Sequence, residues 1–288
     1  MIVLDGRTLA GVLRDELRDR IARYFLRSEL ARVRPGLATI LVGDDPASAV
    51  YVRTKKKACE DVGIASFGYA FPSDVGAAKV SSLIAELNVR TDVHGILLQL
   101  PLPAHLDTSS LIEAIDPAKD VDGLHPVNQG RLVLGQAGLR PCTPLAVMHL
   151  IKKSSARLEG KRAVVVGRSN LVGKPLALLL LERNATVTTC HSHTDDLAEQ
   201  IGQADIVVAA IGSANVIKGE WIKKGAIVID VGISRIAGGG LTGDVDFEKA
   251  QRRAGYISPV PGGVGPLTVA MLLANTVDAA EKLLSDEP

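Results

Sequence analysis

Aromatic side chains are scarce in this chain. They make up 3% of its 288 residues, while the apolar fraction is 47%, so Val, Ile, Leu and Ala must build its cores. Cysteine is scarce too. Cys59, Cys142 and Cys190 are odd in number and lack the spacing of a metal site or disulfide framework. Charge excess is missing: the formal net charge is +1, so nothing marks a nucleic acid or an acidic membrane as a partner. Long apolar runs are missing as well. None reaches the ~20 residues of a membrane-crossing helix. Met1 to Leu4 runs straight into Asp5-Gly6-Arg7, which leaves no room for a signal core. A soluble, cytoplasmic protein is expected.

What is present is periodic. The length exceeds the ~100–200 residues of one domain, so two are expected. Leu9, Val12, Leu13, Leu17, Ile21 and Phe25 recur at helical steps. A strand is predicted over Leu37–Val42, a helix over Ala47–Val62 stopping at Gly63, a strand over Ile64–Ala70 and a helix over Val75–Leu87. Gly95–Leu100 reads as a buried strand and Leu111–Ile115 as a short helix. Residues 116–142 are rich in glycine and read as a functional loop and domain boundary, after which Thr143-Pro144 resembles a helix start. Beyond Lys161, strands at Ala163–Val166, Thr186–Cys190, Ile206–Ala210, Ala226–Asp230 and Tyr256–Ile257 alternate with helices near Pro175–Arg183 and Asp195–Ile201. That alternation predicts an α/β fold with a parallel sheet covered on both faces. A final helix over Leu267–Leu284 packs back on the first domain.

The segment Val164 to Pro175 reads as strand, glycine turn and helix start, the place where doubly wound sheets hold phosphate against backbone N–H groups. Gly167 and Gly173 are six apart and Ser169 stands where a second glycine often sits, so a purely structural turn is the competing interpretation. The next strand ends Cys190-His191-Ser192-His193-Thr194, without the acidic residue that NAD sites place on the ribose. Hydroxyls there, with Arg168 in reach, favour NADP. Thr194 serves equally well as a helix cap, and His191 and His193 lack a third ligand, so no metal is expected.

In the first half, Ser48, Tyr51 and Lys55 share one helix face. With Lys56 and Lys57 adjacent, a solvated basic surface explains Lys55 as well by itself. Gln99 stands at the carboxyl end of an apolar strand, where α/β sheets place ligands. Asp122, before Gly123, is also a plausible turn residue.

In order along the chain stand Ser48-Ala49-Val50-Tyr51 with Lys55, Gly95-Ile96-Leu97-Leu98-Gln99-Leu100-Pro101-Leu102-Pro103, Lys119-Asp120-Val121-Asp122-Gly123, Val165-Val166-Gly167-Arg168-Ser169, and Pro259-Val260-Pro261-Gly262-Gly263-Val264-Gly265-Pro266. The chain strongly resembles the bifunctional methylenetetrahydrofolate dehydrogenase/methenyltetrahydrofolate cyclohydrolase family over nearly its whole length. The Gln-Leu-Pro-Leu-Pro and Pro-Gly-Gly-Val-Gly-Pro blocks are its most specific part.

That resemblance implies NADP-dependent oxidation of methylenetetrahydrofolate and hydrolysis of the methenyl product. It implies a folate-binding catalytic domain over residues 1–140, joined by the last helix within 267–288. An NADP-binding Rossmann-type domain would occupy 141–266, with a cleft between the two and a homodimer as the assembly. Tyr51 would stack on the aminobenzoyl ring, Lys55 would be the central cyclohydrolase residue tuned by Gln99, and Asp122 would hold the pterin. Ser48, Gly262, Gly263 and Pro266 would border the folate. Gly167, Arg168, Ser169, Ser192 and Ile233 would contact NADP, while Ile211 stands before Gly212 where relatives can carry threonine. Two alternatives are an NADP-linked dehydrogenase of another small substrate and a catalytically silent nucleotide sensor. Neither accounts for Tyr51, Lys55, Gln99 and Asp122 together.

Overall fold

A computed structural model describes residues 1–25, 34–236 and 239–285. In chain order the elements are β1 (Ile2–Val3), α1 (Gly6–Phe25), β2 (Gly36–Val42), α2 (Pro46–Val62), β3 (Ala65–Phe71), α3 (Ala77–Val89), β4 (Gly95–Leu98), α4 (Thr108–Glu113), α5 (Pro126–Val133) and α6 (Cys142–Lys153). Then come β5 (Arg162–Val166), α7 (Gly173–Leu181), β6 (Thr186–Cys190), α8 (Leu197–Gln203), β7 (Ile206–Ala209), β8 (Ile227–Asp230), β9 (Ser234–Arg235), β10 (Leu241–Thr242), α9 (Phe247–Ala250), β11 (Tyr256–Ile257) and α10 (Val264–Ser285). The chain divides into two compact units: Val12–Cys142 with Val269–Pro288, and Met1–Gly11 with Thr143–Thr268.

The first of these units holds a parallel sheet ordered β3-β2-β4. β2 lies in the middle and is almost wholly buried because its sequence, Gly-Leu-Ala-Thr-Ile-Leu-Val, is apolar on both faces. Ile40, Ile84, Leu87 and Ile96 are at most 1% exposed, and they join Val80, Leu98 and Leu111 in one core. Burial of each such side chain stabilises the unit by roughly 1.5–3 kcal/mol. α2 starts where Asp45 accepts the Ser48 N–H at 2.7 Å and ends at Gly63, whose φ of 93° supplies the left-handed cap that a side chain would strain.

The other unit carries a six-stranded parallel sheet ordered β1-β11-β8-β7-β5-β6, together with the antiparallel pair β9–β10. From β5 the chain moves outward to β6 and then returns past β5 to β7. The order therefore reverses between β5 and β7, the crevice where such sheets bind ligands at their carboxyl ends. Val164, Val166, Val207, Val228 and Ile257 pack this sheet against Ile201, Ile217 and Ile222.

Several expectations need adjustment. Residues 1–11 group geometrically with the larger sheet because Ile2 and Val3 pair with Tyr256 and Ile257, a division that the expected domain bounds did not address. Residues 116–142 are not all loop. α5 forms there because the His125 side chain caps the Val127 N–H, although Gly130 weakens the local helical signal. Thr143 lies inside α6, which begins at Cys142, rather than capping it. Residues 286–288 of the expected final helix lie outside the described residues.

Candidate active site and nucleotide edge

Lys55 is one helical turn after Tyr51 on α2, and its ammonium nitrogen donates to Gln99 Oε1 at 2.9 Å. Gln99 follows β4, where its backbone N–H still pairs with the Ile40 carbonyl. Its amide nitrogen donates to the Leu100 carbonyl at 2.7 Å. That second bond fixes the flip of the amide, so its oxygen faces Lys55. Burial pushes the Lys55 ammonium below its ordinary pKa, and the nearby negative charge of Asp122 opposes the shift. Tyr51 is 41% exposed, so its ring is open to a partner, while Ser48 is buried at the start of the helix.

Asp122 is held by its neighbours. The Asp120 carboxylate accepts the Leu124 and His125 N–H groups at 3.1 and 2.8 Å and the Asn128 amide at 2.8 Å. Burial raises the Asp120 pKa to about 6 despite these donors. Gly123 has φ 70°, and a Cβ there would meet the Arg140 carbonyl carbon at 2.4 Å. On the other side, Asn275 of α10 donates to the carbonyls of Val121 and Arg140 at 2.8 and 2.9 Å. The Cys142 thiol donates to the Val121 carbonyl at 3.2 Å, and burial followed by the adjacent Asp122 charge holds it well above the usual thiol range. Cys142 is thus an inert packing thiol beside the site rather than a nucleophile.

The glycine turn after β5 is tight for steric reasons. Gly167 has φ 127° and a Cβ there would lie 2.2 Å from the Ala210 carbonyl oxygen, while one at Gly173 would lie 2.1 Å from the Gly167 carbonyl oxygen. The Ser169 hydroxyl accepts the Val172 N–H at 3.2 Å. Arg168 and Ser192 are exposed after β5 and β6, and Ile233 is exposed after β8. The donor set at the end of β6 is hydroxyl and imidazole, with no carboxylate from His191 to Thr194, which fits the 2′-phosphate of NADP. His191 Nδ1 accepts the His193 N–H at 3.2 Å. Among the described residues, no group of three or more His, Cys, Asp and Glu is arranged to hold a metal ion.

The structure therefore joins Lys55 to Gln99 by a hydrogen bond and brings the Asp122 charge close enough to Lys55 to act on it, with Tyr51 and Ser48 on the same helix. Gly167, Arg168, Ser169, Ser192 and Ile233 all follow carboxyl ends of strands in the other unit. Gly262, Gly263 and Pro266 belong to that unit too, where the Gly262 carbonyl accepts the Gly6 N–H at 2.9 Å. Sequence reasoning missed Asp120, Asn275, Asp230 and Asp244. A signal existed for Asp230: a carboxylate ending the otherwise apolar strand Ile-Val-Ile-Asp is buried and so requires donors.

Comparison with known proteins agrees with this layout. Residues 4–122 match the catalytic domain of tetrahydrofolate dehydrogenase/cyclohydrolase, and residues 141–284 match its NAD(P)-binding domain. The chain is 55% identical over 280 residues to the bifunctional protein FolD of Magnetococcus marinus, covering 97% of each chain. The crystal structure of the bifunctional enzyme FolD, methylenetetrahydrofolate dehydrogenase/cyclohydrolase, from Campylobacter jejuni is 46% identical. It superposes with a TM-score of 0.95 over 98% of this chain and 99% of that one. The Trypanosoma brucei N5,N10-methylenetetrahydrofolate dehydrogenase-cyclohydrolase, solved with NADP cofactor and an inhibitor, is 42% identical, with a TM-score of 0.95 over 99% of this chain and 98% of that one.

Proposed function

The chain belongs to the tetrahydrofolate dehydrogenase/cyclohydrolase family, and on that premise we propose which of its residues carry each half of the work. The enzyme oxidises 5,10-methylenetetrahydrofolate with NADP to the 5,10-methenyl cation and hydrolyses that cation to 10-formyltetrahydrofolate. NADP supplies the hydride acceptor. Arg168 and Ser192 bind its 2′-phosphate, the turn from Gly167 to Ser169 receives its phosphates, and Ile233 packs against it.

Oxidation demands positioning and little else, because the folate nitrogens push the hydride out of the bridging carbon. Tyr51 stacks on the aminobenzoyl ring, Asp122 fixes the pterin, and Ser48, Gly262, Gly263 and Pro266 border the folate. Hydrolysis demands proton movement. Water adds to the cationic carbon, one of its protons ends on the ring nitrogen released when the carbon–nitrogen bond breaks, and the other leaves to solvent. Lys55 takes and returns protons in this sequence, since a lysine with a lowered pKa offers a neutral amine closer to neutral pH. Gln99 aims that amine without the charge of a carboxylate. What supports these roles is the 2.9 Å contact of Lys55 Nζ with Gln99 Oε1 beside Asp122.

Lys55→Met tests the assignment, with methenyl hydrolysis and methylene oxidation assayed separately. Selective loss of hydrolysis supports it. Equal weakening of both through folate KM, or no loss at all, refutes it. A cytoplasmic homodimer completes the proposal. β3 is an edge strand of its sheet, a surface that a second copy can cover, and light scattering on the purified protein measures the assembly. Among the described residues no helix is long and apolar enough to cross a membrane.

A further inference from the structure

Three successive N–H groups follow β7 at the reversal point of the larger sheet. Those of Ile211 and Gly212 donate to Asp244 Oδ2 at 2.6 and 3.0 Å, and that of Ser213 donates to Asp244 Oδ1 at 2.9 Å. Consecutive N–H groups converging in this way form a concavity that binds anions. In open α/β sheets the anion at such a place is commonly a ligand phosphate. Here it is the chain's own carboxylate, and Asp244 is fully buried.

Asp244 is seated in turn by Asp230, the last residue of β8. Asp230 Oδ1 accepts the N–H groups of Gly232 and of Asp244 itself, both at 3.0 Å, and Oδ2 accepts that of Val245 at 2.9 Å. Two glycines make the interlock possible. A Cβ on Gly232 would lie 2.0 Å from Asp244 Oδ1, and one on Gly243 would lie 2.0 Å from Asp230 Oδ2. The segments after β7 and β8 are thereby tied together by carboxylates rather than by a ligand.

We propose that Asp244 is a positioning residue for the dinucleotide: an internal anion that fills the N–H concavity at residues 211–213 and sets the segments after β7 and β8 in their cofactor-accepting shape before NADP arrives. The proposal rests on the reading that Ile233 and the neighbouring turns contact NADP. It also means that the N–H groups of 211–213 are already used, so the phosphates must be met by the Gly167–Gly173 turn and by side chains.

Asp244→Asn keeps the shape but turns one acceptor into a donor that faces an N–H group. Gly232→Ala keeps the carboxylate and displaces it. Both should raise the KM for NADP and the calorimetric Kd for NADP about tenfold or more, the scale of losing charge-assisted hydrogen bonds. The kcat for oxidation at saturating NADP should stay within about threefold. Methenyl hydrolysis, which needs no NADP, should stay at the wild-type rate. Amides 211–213 should be protected from hydrogen exchange in the NADP-free wild type and exposed in both variants. An unchanged NADP Kd in either folded variant overturns the proposal. So does parallel loss of both activities with a collapsed melting temperature in both variants, which would make Asp244 a folding residue only. Failure of the underlying reading looks different: Ile233→Asp in an otherwise wild-type chain would then leave the NADP Kd unchanged.

Discussion

Around Lys55 the proposed working atoms belong to side chains, whereas along the carboxyl edge of β5, β7 and β8 most belong to the backbone. Lys55 from α2 meets Gln99 from the end of β4, and the charge of Asp122, from the segment before α5, acts on Lys55. In the proposed assignment each carries a role that one substitution removes. The nucleotide edge works differently. Glycines at 167, 173, 232 and 243 let backbone and carboxylate approach to distances that any Cβ would block. As proposed, the first design concentrates reactivity in one group. The second spreads recognition over a shape. Chemistry should therefore be easy to remove at the first site without disturbing binding, and binding easy to remove at the second without disturbing hydrolysis.

The largest expected effect tests the first half of that contrast. Lys55→Met keeps the length of the stem and removes every exchangeable proton. Methenyl hydrolysis should fall by the ~10²–10⁴-fold typical of lost acid–base catalysis, with NADP Kd unchanged. The pH profile sharpens it. Burial lowers the Lys55 pKa, so the neutral amine forms at lower pH than for a free lysine. Wild-type hydrolysis should rise with pH through that lowered value, and the rise should vanish in Lys55→Met. Hydrolysis surviving above about a tenth of the wild-type rate would remove Lys55 from the acid–base role.

The same contrast explains what could be read from the sequence. Lys55, Gln99 and Asp122 came together as a set only through the family resemblance of their blocks, because locally a basic helix surface, a strand-end amide and a turn residue explain them equally well. The parallel strands were legible because Val164–Val166 and Ile206–Ala209 are apolar runs bounded by breakers. Backbone architecture leaves weaker traces. β1 was missed because two residues carry no periodicity, and its pairing with β11 joins sequence positions more than 250 apart. Asp230 was read only as the last residue of a strand, and Asp244 was not singled out. Only their donors, supplied by N–H groups up to 33 residues away, show that they hold the edge together. Asn275 was hidden for the same reason, since its partners, the carbonyls of Val121 and Arg140, lie in another part of the chain.

Next in size is a pH effect that separates the two units. Burial raises Asp230 from the ordinary 3.8 to about 6. Its folded pKa lies above its unfolded one, so the stability tied to the protonated form is present below about 4 and lost as pH rises through about 6, at most ~3 kcal/mol for a shift of about two units. Asp120, also about 6, acts with the same sign in the other unit. There, however, His94 is pushed down to about 4 by burial and then by the Lys119 charge. Its contribution has the opposite sign: present above 6.5 and lost as pH falls through about 4. Hydrogen exchange between pH 4 and 7 should thus show protection falling with rising pH for the amides of Val207 and Val228. The slope should be smaller for those of Ile40 and Leu97, and Asp230→Asn should flatten the first slope alone. Equal slopes in wild type would break the comparison.

Gly167→Ala comes third. A methyl at φ 127° and 2.2 Å from the Ala210 oxygen forces the turn apart, and strained backbone of this kind costs ~1–3 kcal/mol. NADP affinity should fall by about tenfold or more, as that range implies, and calorimetric titration measures it. Methenyl hydrolysis should continue, because none of its proposed proton-handling groups lies in that unit. Hydrolysis falling in step with NADP affinity would mean that the two sites are not separable.

The smallest effect concerns the proposed seat of the 2′-phosphate, where side chains rather than backbone would set specificity. Ser192 is exposed just past β6, and no carboxylate stands between His191 and Thr194. Ser192→Asp would place a negative charge beside the proposed seat of the 2′-phosphate dianion, where it repels NADP, while the same carboxylate can accept hydrogen bonds from the ribose hydroxyls of NAD. The ratio of kcat/KM for NADP to that for NAD should drop about tenfold, equivalent to ~1.4 kcal/mol. The change should appear in KM rather than kcat, because the adenosine end is remote from the transferring hydride. Since the site is exposed, part of the repulsion is screened, and the drop should shrink as ionic strength rises. Arg168→Ala provides the complementary arm: it should weaken NADP with little effect on NAD, and combining the two substitutions should give less than the product of their effects if both act on one phosphate. Independent, fully multiplicative losses would place Arg168 and Ser192 on different parts of the cofactor. An unchanged ratio in Ser192→Asp would move the 2′-phosphate away from the end of β6 altogether.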